Sequence, residues 1–131
     1  MLARILVPLV LSSVPLAQQS LGMFGEFARE EVYVFDADTD AVLGVLPIVG
    51  GLTPCYDCAI LADLSLGFVV TANFEVWVID LTTSPPSLAT GTNPIPIGSL
   101  GLDVVISLDQ KYLLVSGGGA LSLSIVDIAT R

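Results

Sequence analysis

The sequence predicts an all-β fold of β-propeller type, with blades of four antiparallel strands, about two repeats plus the start of a third, in an incomplete ring. Three observations support that expectation. The chain repeats itself with a period near 46 residues. Each period holds four short strand signals separated by Gly, Pro, Asn and Asp, and four strands per repeat of ~40–50 residues is the period of a propeller blade. Apolar residues make up 53% of the chain and charged residues 13%. Their runs do not alternate with polar residues, as expected where sheets stack and both surfaces of an inner strand are buried. A helical solenoid would need 3.6-residue periodicity, which these segments lack. Disorder would need low hydrophobicity and dense charge.

From the N-terminus, Met1–Arg4 form a short, singly positive start, Ile5–Ala17 are apolar or small, and Gln18-Gln19-Ser20 turn polar. This is the layout of a secretory signal peptide, whose apolar stretch runs ~7–15 residues. A membrane span needs ~20, and this stretch is interrupted by Pro8 and Pro15. Cleavage is expected after Ala17, with an uncleaved anchor or an ordinary buried segment as alternatives. The expected organisation is a signal peptide over 1–17, an N-terminal segment over 18–31 and partial propeller repeats over 32–131. Such a protein is secreted, periplasmic or at the cell surface, and has no membrane span once the leader is removed.

Three segments then align. Val32-Tyr33-Val34-Phe35-Asp36-Ala37-Asp38-Thr39, Val76-Trp77-Val78-Ile79-Asp80-Leu81-Thr82-Thr83 and Leu123-Ser124-Ile125-Val126-Asp127-Ile128-Ala129-Thr130 each read as four mostly apolar residues followed by Asp-x-x-Thr. The aspartates lie 44 and 47 residues apart. A second block, Asp57–Asn73, matches Asp103–Gly118 with one residue of difference expected in the middle turn. Gly51-Leu52-Thr53-Pro54 before the first copy corresponds loosely to Gly98-Ser99-Leu100-Gly101 before the second. In the complete middle period the strands are expected near Cys58–Ala62, Phe68–Thr71, Val76–Asp80 and Leu88–Ile97, the last broken by prolines.

Gly-x-x-Pro, an apolar strand, an Asp turn, "FVVTAN" and "VWVIDLTT" together resemble the YVTN-type β-propeller repeat of the lactonase-like and surface-layer propellers. The resemblance covers residues 32–131. It implies a blade fold and says almost nothing of activity. Where that family has a Pro-Asp-Gly turn, this chain has Ala62-Asp63-Leu64 and Leu108-Asp109-Gln110. The period fits only about two and a third times, while closed propellers need ~4–8 blades. An open stack leaves apolar faces and strand edges exposed. The chain therefore reads as a piece of a longer propeller; the alternative is that copies assemble into a ring.

Composition narrows the chemistry. With 13 acidic and 4 basic residues the net charge is −9, so the basic patch that nucleic-acid binding requires is missing. There is no histidine, hence no His-based triad or His metal ligand in this chain. Cys55 and Cys58, in TPCYDC, are an even pair that in an exported protein favours a disulfide closing a tight ring; free thiols, a redox pair or a shared metal half-site are the alternatives. Asp36, Asp80 and Asp127, with Thr39, Thr83 and Thr130, are expected to stabilise turns through side-chain bonds to backbone N–H groups. Asp36, Asp38 and Asp40 imitate the start of a calcium loop, but the positions that need Gly and Glu are Ala41 and Pro47.

Asp57 and Asp103 each begin an innermost strand and are expected as neighbours near one mouth of a central channel. Adjacent carboxylates either attract calcium or push one pKa upward. Asn73, Phe74, Glu75 and Gly117-Gly118-Gly119 are expected in hairpins at the same end, Phe74 packing on its neighbour or meeting a ligand, and Trp77 in blade packing. The triple glycine lacks the Gly-Lys-Ser/Thr continuation of a phosphate loop. No catalytic residue is assigned. The function read from the sequence is a non-catalytic scaffold or interaction module, completed by a protein partner or by self-association. The alternatives are a piece of a lactonase-like enzyme with its catalytic residues in other blades, or a truncated product without independent function.

Overall fold

Strand order follows directly from the punctuation of the sequence, and a computed structural model of the chain describes residues 20–48, 54–98, 100–118 and 122–131. The signal peptide expected over 1–17 lies outside the described residues, as do Gly51-Leu52-Thr53, Ser99 and Gly119. All regular structure among the described residues is β, in antiparallel sheets without a helix. Among the described residues no helix is long and apolar enough to cross a membrane.

The first sheet contains β1 (Leu21–Glu26), β2 (Glu31–Asp36) and β3 (Val42–Pro47). The middle sheet contains β4 (Cys55–Ile60), β5 (Leu66–Thr71) and β6 (Glu75–Asp80), with β7 (Ser87–Leu88) and β8 (Ile95–Pro96) both paired to β6. The third contains β9 (Gly101–Ile106), β10 (Tyr112–Gly117) and β11 (Leu123–Asp127). Among the described residues the three sheets do not close into a ring.

Two apolar clusters join them. Val32, Val34, Leu46 and Ile48 of the first sheet and its flank pack with Val69, Trp77 and Ile79 of the middle sheet. Phe68, Val70, Val76 and Val78, on the other surface of the middle sheet, pack with Val104, Leu113, Val115 and Ile128. The runs FVV and VWVI are continuous because alternate residues enter different clusters. Each such side chain contributes roughly 1.5–3 kcal/mol on burial.

Several boundaries differ from expectation. The first sheet begins at Leu21, inside the segment 18–31 that the sequence leaves outside the repeats. Gly22 and Gly25 disguise β1, since glycine weakens a strand pattern. Here each permits a close approach: a Cβ on Gly22 would meet the Phe35 ring, and one on Gly25 would meet Cys55. β4 starts at Cys55 instead of Cys58, because a bulge between Cys55 and Asp57 admits an extra residue.

The middle turns have equal length, so the expected difference of one residue there is absent. Leu61 N–H donates to Leu66 O and Ser107 N–H to Tyr112 O, both at 2.9 Å, and Leu64 and Gln110 occupy matching positive φ of 59° and 60°. The blocks preceding the copies also align differently: Ala72 N–H reaches Pro54 O as Gly118 N–H reaches Leu100 O. The extra residue of the last period falls between β10 and β11, where Gly117 N–H donates to Ser122 O.

The proline-broken strand is two short pieces on one edge. β7 meets Ile79 and Asp80, and β8 meets Glu75 and Val76. Between them the Asn93 side chain substitutes for a strand: Val78 N–H donates to its Oδ1 at 3.0 Å, and its Nδ2 donates to Val78 O at 2.8 Å.

Candidate functional site

Asp57 and Asp103 lie at one end of the stack. Antiparallel pairing sets Cys55 opposite Thr71, so β4 starts beside the hairpin that links β5 to β6. The starts of β4 and β9 and the hairpins after β1 and β5 therefore share this end. The bulge in β4 positions Asp57, whose Oδ2 accepts the Val104 N–H at 2.8 Å across the boundary between the middle and third sheets. Asp103 stands next to it in β9. The Asp57 carboxylate accepts a hydrogen bond from protonated Asp103 and repels its ionised form, and these two effects hold the Asp103 pKa above the ordinary carboxylate value.

Asp57 and Asp103 are thus brought together, and Asp57 has a tertiary role as well: it satisfies a backbone donor on the adjacent sheet. Calcium takes 6–8 oxygens. Asp57 and Asp103 supply two carboxylates, one of them already engaged by an N–H, and no group of three or more His, Cys, Asp or Glu side chains gathers among the described residues. A shallow groove of about 190 Å³ runs between β1 and β4, lined in part by Gly25, Tyr56 and Asp57.

Cys55 and Cys58, the pair expected as a disulfide, stand as free thiols in the structure. The bulge puts them on one surface of β4, two pleat positions apart, a spacing of roughly 7 Å at the outer limit for a disulfide. Both pack into the cluster between the first and middle sheets. Burial first, then Glu30 and Glu26, push the Cys55 thiol up to about 11. Burial first, then Cys55 and Asp57, push Cys58 up to about 12. Thiols held neutral in this way are poor nucleophiles.

Exposed aromatic residues surround the same end. Phe27, in the hairpin after β1, meets Tyr56 edge to face with centroids 6.0 Å apart. Phe74 lies in the hairpin before β6, at a positive φ of 61°, and is exposed. Its carbonyl accepts the Ile97 N–H at 2.8 Å. A pocket of about 350 Å³ lies between Phe27, Ala28, Glu30 and Pro54. Trp77 instead is buried in the first cluster.

The repeated aspartates end β2, β6 and β11 and hold the turns that follow. Asp36 Oδ1 accepts from the N–H of Asp38 and Thr39, and Asp127 Oδ1 from those of Ala129 and Thr130. Asp80 Oδ1 accepts both the N–H and the hydroxyl of Thr82, while Thr83 Oγ1 donates to Asp80 O. The Thr82 bonds pull the Asp80 carboxyl below its usual range.

Sequence reading missed two positioning residues. Asn93 holds the interrupted edge of β6, and an Asn-Pro in a proline-broken strand was the available signal. Gln110, at the positive-φ position of the third sheet's turn, accepts the Ala62 N–H at 2.9 Å through Oε1 and so ties the turn of the third sheet to that of the middle one.

No protein-family model matches the chain, and no curated protein matches it. Among solved structures, the chain is similar to a functionally unknown protein from Desulfotomaculum acetoxidans DSM 771, with a TM-score of 0.74 and 18% identity over 85% of this chain and 34% of that one. It is also similar to Kuenenia stuttgartiensis hydrazine synthase, with a TM-score of 0.62 and 21% identity over 76% of this chain and 27% of that one. The likeness is one of fold, and this chain spans between about a quarter and a third of those solved chains.

Proposed function

We propose that this chain is an arc of β-propeller blades, exported from the cell, that serves as a non-catalytic scaffold or interaction module. The observation behind this reading is the stack itself: three sheets in succession, each joined to the next by an apolar cluster, with uncovered apolar surface at both ends. Likeness to longer solved chains, of which this chain covers 34% and 27%, supports it, since a similar arc recurs there as part of something larger. The repeat pattern resembling the YVTN-type propellers agrees. The chemistry available also favours a module over an enzyme. There is no histidine in the chain, the thiols are buried and neutral, and only two carboxylates converge.

A second reading, a piece of a lactonase-like propeller enzyme, has one observation in its favour: the Asp57–Asp103 pair, in which the Asp103 pKa is raised. An assay separates the two. The full chain, expressed in a secreting host and recovered outside the cytoplasm, is given a panel of aliphatic and aromatic lactones with and without calcium. The module reading expects no hydrolysis above the uncatalysed rate. Hydrolysis that disappears in Asp103→Asn would replace it with the enzyme.

A further inference from the structure

The strand register shows that the sheets share one surface code. Leu21, Leu66 and Tyr112 pair with Asp36, Asp80 and Asp127. Counting from these markers, Met23, Phe68 and Leu114 are equivalent, as are Val34, Val78 and Ile125, and Val32, Val76 and Leu123. These residues form the forward face of each sheet. The opposite, rear face holds Phe24, Tyr33 and Phe35 in the first sheet, Val69, Trp77 and Ile79 in the middle one, and Val115, Ser124 and Val126 in the third.

Within the chain a forward face always meets a rear face. Val32, Val34, Val76 and Val78 are 0% exposed for that reason. Two faces are left over. On the forward face of the third sheet Leu123 is 59% exposed and Ile125 64%. On the rear face of the first, Phe24 is 48% exposed and Val45 44%, Phe24 stacks on Tyr33 at 4.9 Å, and Val45 pairs beside Tyr33.

We propose that a second copy of this chain covers both faces, the forward face of the third sheet of each copy packing on the rear face of the first sheet of the other. This inference rests on reading the sheets as propeller blades. Three features select a second copy as the occupant. The contact continues the forward-to-rear packing already made twice within the chain. Side-chain volumes compensate: the leftover rear face is aromatic, and the leftover forward face has Leu114 and Ser116 where the middle sheet has Phe68 and Val70. The count also fits, because two copies of three sheets give six, within the ~4–8 blades that close a ring, and three copies overshoot it. A head-to-tail contact used twice about a two-fold axis ends growth instead of forming a fibre. The charge of −9 per copy opposes association, so added salt strengthens it.

The test is the solution mass of the full chain by light scattering across a concentration series, with far-ultraviolet circular dichroism on the same sample. The expected result is a β-rich species of two copies. Ile125→Asp and Phe24→Asp each weaken self-association at least ten-fold while keeping the β signal. Leu108→Asp, on a fully exposed turn outside both faces, leaves the mass unchanged. An equal mixture of Ile125→Asp and Phe24→Asp associates better than either alone, because it retains one contact with both native faces. A β-rich single copy at every concentration overturns the two-copy ring while leaving the module reading in place. A two-copy species indifferent to both variants, an open-ended polymer or a polydisperse aggregate overturns it too, the last pointing to sheets supplied by a longer chain.

Discussion

The middle and third sheets have matching turns, matching register markers and nearly the same strand lengths, yet their interiors differ. In the middle sheet Phe68, Val70, Val76 and Val78 are fully buried. Their register equivalents Leu114, Ser116, Leu123 and Ile125 face outward, the last two largely exposed. Identical local patterns thus produce a sealed sheet or a half-open one, according to whether a neighbour stands on each side. Burial here is a property of position in the stack, and strand pattern alone does not set it.

The largest expected effect comes from cutting into the sealed side. Phe68→Ala should lower the unfolding free energy by ~3–5 kcal/mol, whereas Leu114→Ala should cost under ~1 kcal/mol; urea denaturation of both variants measures the difference. Equal losses would mean that the two sheets are buried alike. Val78→Ala should cost ~2 kcal/mol. Its equivalent change, Ile125→Ala, should stay within ~0.5 kcal/mol in dilute single copies and appear mainly as a shift in the concentration dependence of the melting temperature.

The edge of the middle sheet offers a third test, since Asn93 bridges the gap between β7 and β8 along β6. Asn93→Ala leaves the Val78 N–H without its acceptor and removes the amide's bonds to Val78 O and Ala89 O. A loss of ~1–3 kcal/mol is expected, with faster hydrogen exchange at Val78. Unchanged exchange there would show that β7 and β8 protect β6 without the side chain.

The smallest effects are electrostatic and have opposite signs. A carboxyl whose pKa is raised in the folded state favours that state most in acid, and the benefit is lost as pH rises through the raised value. Asp103, raised by Asp57, is such a group, so Asp103→Asn should raise the melting temperature near neutral pH, and the gain should vanish in acid. Asp80, lowered by Thr82, contributes stability above the ordinary carboxylate value that is lost as pH falls through its depressed one. Asp80→Asn should therefore lower the melting temperature near neutral pH, by less in acid. Thermal melts across pH check both, and parallel curves would remove the inter-sheet repulsion from the account.

Much of this was legible. The Asp-x-x-Thr turns announced themselves because their bonds are local, made within two or three residues. The proximity of Asp57 and Asp103 could be expected from their common place in the repeat. β1 was missed because its two glycines look like breaks, and only Phe35 and Cys55 lying over them reveal the purpose. The cysteine pair suggested a covalent ring because spacing in sequence takes no account of a bulge. Asn93 and Gln110 were overlooked because their partners are 15 and 48 residues away.

By itself, the sequence determined the all-β class, the period, the register markers and the chain's acidic character, since strand propensity, turn chemistry and charge act over a few residues. Tertiary structure alone decided which apolar faces are sealed, where the cysteines point and that Asp57 bridges two sheets. Those outcomes depend on which surfaces meet. Packing excludes water only where a second surface stands opposite the first, and no single strand specifies its neighbour.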